Sequence, residues 1–488
     1  MKKLVGDMPP AIEQGVERTA GDLDKSRLPR VTQVQELAKF VVQAKFDTLS
    51  EEAKRELKIR VLDSLGCAIG ALGAEPVLML RAQTDDFGGK EHCTLIGGGK
   101  TAPDRAAFYN GALIRYLDFM DSYLAKGETC HPCDNIGAVL AASEYANGTG
   151  RDLITAIAVS YQVQCRLSDV APVRQKGFDH TTQGAYSVAA GVSKALGLDE
   201  EKTANAIAIS GTAYNALRVT RTGKLSHWKG LAFPNTALGA THAAFLAMRG
   251  ITGPSEVFEG NKGFMETIAG RFEIDWSKED LERVRRTIVK KYNAEIHSQS
   301  AIEGILELKA EKGFAAGDIE SVTIDIFDVA HNIIGGGEEG TKTDVRTKEE
   351  ADHSLPYMIA VAILDNAVEP EQYQSDRILK PDVQSLLRKV VVRPDDEYSK
   401  IFPDALPCRV TVRLKGGTIL LKEKRDYEGF FTRPLSWESV VQKFNSLCIP
   451  SLDKGLREKI VQTTAHLEEI EVAELMRLLG KVSSQKKR

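Results

Sequence analysis

Six segments between residues 106 and 249 keep helical apolar spacing but fill it with alanine, glycine and serine: 106–117, 136–146, 152–166, 183–197, 201–213 and 236–249. The run Tyr186-Ser-Val-Ala-Ala-Gly-Val-Ser-Lys-Ala-Leu196 has small residues on several sides of its helix. Small side chains let helix axes approach closely, so these segments predict central helices covered by neighbours, not an exposed amphipathic layer. Gly148/Gly150, Gly197 and Gly250 stand where helix C-caps belong, with Asp152, Asp199 and Thr252 as starts of the next element. No strict period links these units, which argues against a solenoid. Upstream, Ser50-Glu51-Glu52 predicts a helix start with an N-cap serine and an acidic first turn.

The pattern changes near residue 275. Ser321-Val-Thr-Ile-Asp-Ile-Phe327 alternates as a half-buried strand, and Lys389–Arg393 predicts another. Cys408–Leu414 and Thr418–Lys422, joined through Lys415-Gly-Gly, predict a β-hairpin. Helices at about 300–312, 353–366 and 381–388 intervene, and three more follow at 436–446, 453–465 and 468–479. The expected organisation is a mainly α chain: a polar arm at 1–34, helical domain at 35–272, a smaller α+β domain at 273–430, and helices at 431–488 returning to the first domain.

With 64 Lys+Arg against 68 Asp+Glu, the formal net charge is −4, which argues against binding nucleic acid through its phosphates. Met1–Pro10 has no apolar signal-peptide core, and no window reaches the length of a membrane span. The seven scattered cysteines are those of reduced core thiols, so a cytoplasmic protein without membrane partners is expected. Gly97-Gly98-Gly99-Lys100-Thr101 fails as a phosphate loop because the first glycine of that motif would fall on Thr94. Gly335–Gly337 lacks dinucleotide-loop spacing. Cys130-His-Pro-Cys133 has no second cysteine pair at ligand spacing, so neither a metal nor a cofactor is expected.

Polar histidine loops carry the chemistry. Leu117-Asp118-Phe119-Met120-Asp121-Ser122 and His131-Pro132-Cys133-Asp134-Asn135 precede an alanine-rich helix, whose N-terminus favours an anion. The plain alternative is capping by Asp134 or Asn135 within a surface loop. Phe178-Asp179-His180-Thr181 has the same form, and Arg218-Val-Thr-Arg221-Thr-Gly-Lys224-Leu-Ser-His-Trp-Lys229 gathers four cations between two alanine-rich helices. Such cations are costly near a buried bundle unless they meet anions. Asp352-His353-Ser354-Leu355-Pro356-Tyr357 opens a helix, for which an Asp352 N-cap is the plain account; His297, in Tyr292–Ser298, is taken as structural. Together the loops point to acid–base chemistry on a small polyanion.

These motifs, with Gly253-Pro-Ser-Glu-Val-Phe-Glu-Gly260, resemble the MmgE/PrpD family over about residues 35–480. That family includes 2-methylcitrate dehydratase, cis-aconitate decarboxylase and an iminodisuccinate epimerase. The resemblance implies a large helical domain with a smaller α+β lid, a site in the cleft between them, and a homodimer. It implies catalytic roles for His131, His180, Asp118 or Asp121, Lys224 or Lys229, and Tyr357 from the lid. Arg218, Arg221 and Asn135 are expected at the carboxylates of a di- or tricarboxylate substrate. Asp-Phe-x-Asp followed by His-Pro-x-Asp-Asn is similar to the dehydratase branch, so dehydration of a tricarboxylate such as 2-methylcitrate leads. Decarboxylation, epimerisation, or a non-catalytic carboxylate-binding protein are the alternatives.

Overall fold

The computed structural model describes residues 31–223 and 225–482; the rest of the 1–34 arm, Lys224 and the tail from Ser483 lie outside them. The first helix, α1 (Gln33–Gln43), starts inside the expected arm because the Gln35 side chain accepts from the Thr32 N–H at 2.9 Å. Helices α2 (Glu51–Gly70), α3 (Glu75–Phe87) and α4 (Pro103–Tyr116) follow, and Ser50 does cap α2. The centre is made of α5 (Ile136–Tyr145), α6 (Gly150–Val170), α7 (Thr181–Ala195), α8 (Glu200–Ala213) and α9 (Trp228–Met248).

The small residues do what their size predicts. A Cβ on Gly137 of α5 would stand 2.6 Å from the Gly111 nitrogen of α4, so these two backbones touch. Gly150 is not the C-cap expected of it but the first residue of α6, where a Cβ would stand 1.5 Å from the Leu467 carbonyl oxygen. Thr149 is the N-cap there, and Asp152 closes the capping box three residues on. No helix begins at Thr252. α9 begins eight residues before the predicted 236; it runs through Pro234, whose ring lies against Gly111, so packing overrides the breaker signal.

Two large hydrophobic cores result, beside a small cluster of Tyr123, Ala125, Cys130 and Cys165. One joins α1–α9 to the C-terminal helices α13 (Trp437–Cys448), α14 (Lys454–Ala465) and α15 (Val472–Leu479). The other surrounds a mixed four-stranded sheet and runs from Ile288 to Phe430, with Leu124 added. Its elements are α10 (Gln299–Lys312), β3 (Ile319–Ile326), α11 (Leu355–Asp365), α12 (Pro381–Leu387), β4 (Val390–Pro394), β5 (Cys408–Leu414) and β6 (Ile419–Lys424). The strand order is β4-β3-β5-β6, with β3 and β4 parallel and the remaining pairs antiparallel. The parallel pair needs a crossover, which α11 and α12 supply.

The stretch after α4 departs most from expectation. It is no surface loop but a buried hairpin, β1 (Tyr123–Ala125) with β2 (Glu128–Cys130), followed by the turn Pro132–Asn135. Ser122 pairs with Ile288 through two backbone bonds of 2.8 Å, which ties this hairpin to the second core.

Candidate active site

α4 ends at Tyr116, and Asp118 follows with φ 56°, in the left-handed region. Its carboxylate accepts from Arg115 Nη1 at 2.7 Å, Lys290 Nζ at 2.8 Å and Lys229 Nζ at 3.3 Å. Lys290 Nζ also donates to the Asp118 carbonyl at 2.7 Å. Burial alone would raise this carboxyl, but Arg115, Lys290 and Lys229 outweigh burial and hold it well below the usual carboxylate range.

β2 delivers His131. Its Nδ1 lies 2.9 Å from the Asp121 carbonyl oxygen and 2.9 Å from Ser122 Oγ. A carbonyl only accepts, so the neutral ring carries its proton on Nδ1 and its lone pair on Nε2. Burial, Arg115 and Lys290 push this imidazole well below the usual histidine range, which keeps it neutral at pH 7.

His180 precedes α7 and puts its ring 5.4 Å from that of His131, edge to face at 75°. Its Nδ1 is 3.2 Å from Asp179 Oδ1, while Nε2 is buried without a hydrogen-bond partner. Asp179 is locked in turn by Arg221 Nε at 2.8 Å.

These groups line one cavity of about 50 Å³, with Arg174, Arg218, Arg221 and Lys290 supplying positive charge and Glu128, Glu295 and Glu339 negative charge. The structure therefore brings together His131, His180, Asp118, Arg218 and Arg221. Four other predicted residues stand back from it. Asp121 is fully buried behind His131; its carboxylate accepts from Tyr161 Oη at 2.7 Å and the Cys133 N–H at 3.1 Å, and only its carbonyl reaches the ring. Asn135 fastens helices: its amide donates to Gln164 Oε1 at 2.6 Å and accepts from Ser187 at 2.8 Å. Tyr357 lies in the second core, where its hydroxyl donates to the Gln372 carbonyl. Lys229 supports the wall from behind, 2.6 Å from Asp352 Oδ1 and 2.8 Å from His353 Nδ1.

Asp352 is not the N-cap of α11. Ser354 Oγ takes that place, accepting from the Tyr357 N–H at 3.1 Å, because the Asp352 carboxylate is claimed by Lys229 and by Lys348 at 2.8 Å. Asp118, Asp352 and His353 form a group of potential metal ligands, and the Lys229 ammonium already stands among them.

Several cavity residues escaped sequence reasoning. His297, taken as structural, donates from Nδ1 to Glu295 Oε1 at 2.7 Å and presents a buried, unpartnered Nε2. Burial would raise Glu295, yet the His297 ring beside it pulls it to about 2. His353 also lines the cavity. Arg115 and Lys290 offered one signal, a cation embedded in an apolar run (Leu113-Ile-Arg-Tyr and Ile288-Val-Lys). Arg174 and Glu339 offered none, since they sit on polar turns.

Comparison with known proteins agrees with this layout. Residues 35–277 match the MmgE/PrpD N-terminal domain and residues 292–469 the MmgE/PrpD C-terminal domain. The chain is similar to a cis-aconitate decarboxylase of Mus musculus, 26% identical over 90% of this chain and 92% of that protein. It is similar to an alkylcitrate dehydratase of a fungal species, 28% identical over 82% and 84% of the two chains. It is also similar to the 2-methylcitrate dehydratase of Escherichia coli K12, 27% identical over 73% and 78%. Both domain matches fall in one chain, in order, around one cationic histidine cavity: the protein is a member of the MmgE/PrpD family.

Proposed function

We propose that this enzyme is a hydro-lyase that removes water from a tricarboxylate of the 2-methylcitrate kind, using its own side chains as acid and base. The observation that carries the reading is the pair of imidazoles, His131 and His180, 5.4 Å apart in a cavity walled by arginine and lysine. His131 Nε2, neutral and unprotonated, takes the proton α to a substrate carboxylate. His180 gives a proton to the departing β-hydroxyl, which leaves as water. Arg115, Lys290 and Arg221 offset the charge that builds on the carboxylate as the carbanion develops. Asp118 holds Arg115 and Lys290 in place, and the Asp121 carbonyl fixes the His131 tautomer. A homodimer is part of this proposal, and sedimentation velocity tests it.

The test is His131→Ala with 2-methylcitrate, followed by the ultraviolet absorbance of the new C=C bond. Turnover should vanish while the melting curve survives; an unchanged kcat would sink the assignment. Similarity to a cis-aconitate decarboxylase over 90% of this chain favours a second reading, decarboxylation of cis-aconitate by the same acid–base pair. Release of CO₂ from cis-aconitate, without C=C formation from 2-methylcitrate, would select it.

A further inference from the structure

Glu339 enters the cavity from the second core, on the loop after the turn His331–Gly335, and its side chain is only 7% exposed. Its Oε1 accepts from Arg218 Nη2 at 2.8 Å and from Arg174 Nη2 at 3.2 Å. Both arginines belong to the helical side, on the turns Arg174–Lys176 and Arg218–Arg221. The other oxygen, Oε2, is buried without a hydrogen-bond partner. One carboxylate oxygen thus serves two guanidinium groups while its twin is left unsatisfied, a poorer match than a bidentate carboxylate would make. The loop reads Gly335-Gly-Gly-Glu-Glu339-Gly340, with Gly336 at φ 105° and Gly340 at φ 88°, conformations that glycine adopts at little steric cost.

We propose that Glu339 is a specificity-determining residue that stands in for a substrate carboxylate, occupying the Arg174–Arg218 pair until a ligand's third carboxylate displaces it. Ligands with two carboxylates are satisfied by the other cavity cations and leave Glu339 in place. Tricarboxylates must expel it, which discounts their affinity by the cost of that displacement. The inference rests on the reading of the cavity as a polycarboxylate site.

The test is calorimetric titration of the purified full chain, wild type, Glu339→Gln and Glu339→Ala, with tricarballylate and with glutarate. Tricarballylate has three carboxylates and no hydroxyl to lose, so binding is read without turnover. Both variants should bind tricarballylate about tenfold more tightly than wild type, with a distinctly smaller gain for glutarate. Equal gains for the two acids, or gains that only follow their charges of three and two, would indicate a general charge effect and overturn the proposal. Weaker tricarballylate binding, no binding to either variant, or loss of the native fold in both would mark Glu339 as a strut between the cores, and overturn it as well. Tighter tricarballylate binding in an enzyme that leaves 2-methylcitrate untouched would uphold the role of Glu339 while removing the dehydratase reading.

Discussion

Replacing Asp118 by Asn removes the negative charge at the centre of the site while keeping its shape. Contacts of 2.7 Å to Arg115 and 2.8 Å to Lys290 are each worth about 6 kcal/mol of gross attraction at an effective dielectric near 20. Most of that offsets the desolvation of the buried ions, and deleting one partner of such a pair costs about 3–5 kcal/mol net. Arg115 keeps Asp134 at 3.8 Å, and Lys229 keeps Asp352 at 2.6 Å. Lys290 keeps no other carboxylate among the described residues. With one cation stranded and the amide oxygen still accepting, the expected loss for Asp118→Asn is at the low end, about 3 kcal/mol at pH 7. The sign with pH follows from the depressed carboxyl of the folded state. Its contribution is fully present above the unfolded value of about 3.9 and is lost as pH falls toward the folded value. Urea unfolding of wild type and variant across the acid range checks this. The gap should hold steady at neutral pH and narrow in acid; a gap under about 1 kcal/mol at pH 7, or one that ignores pH, would refute the charge accounting.

Two further outcomes separate site from scaffold. Tyr357→Phe should cost about 1 kcal/mol through the lost bond to the Gln372 carbonyl, measured by urea unfolding, and leave kcat and KM for 2-methylcitrate unchanged; a raised KM would restore Tyr357 to the site. Gly150→Ala forces a methyl group onto the Leu467 carbonyl, so it should lose about 3 kcal/mol in thermal unfolding, and a neutral result would contradict the close packing of α6 against the C-terminal segment.

What the chain determines locally is legible without coordinates. Helices at Thr181–Ala195 and Glu200–Ala213 follow from apolar spacing and caps such as Asp199, and β3 and the β5–β6 hairpin follow from period-two alternation with a glycine turn. His131, His180, Arg218 and Arg221 were visible because each lies in a polar cluster beside a small-residue helix. Tertiary structure alone decides which polar atoms face one another. Asp118 and Asp121 are three residues apart and chemically identical, yet one carboxylate meets Lys290 at the cavity while the other turns inward to Tyr161. Lys229 is drawn behind the wall by Asp352, and Glu339 meets Arg174 and Arg218 across more than a hundred residues of chain. Periodicity records burial, which each segment expresses for itself; ion pairing between distant segments leaves no periodic trace, so it emerges only when the two cores are packed together.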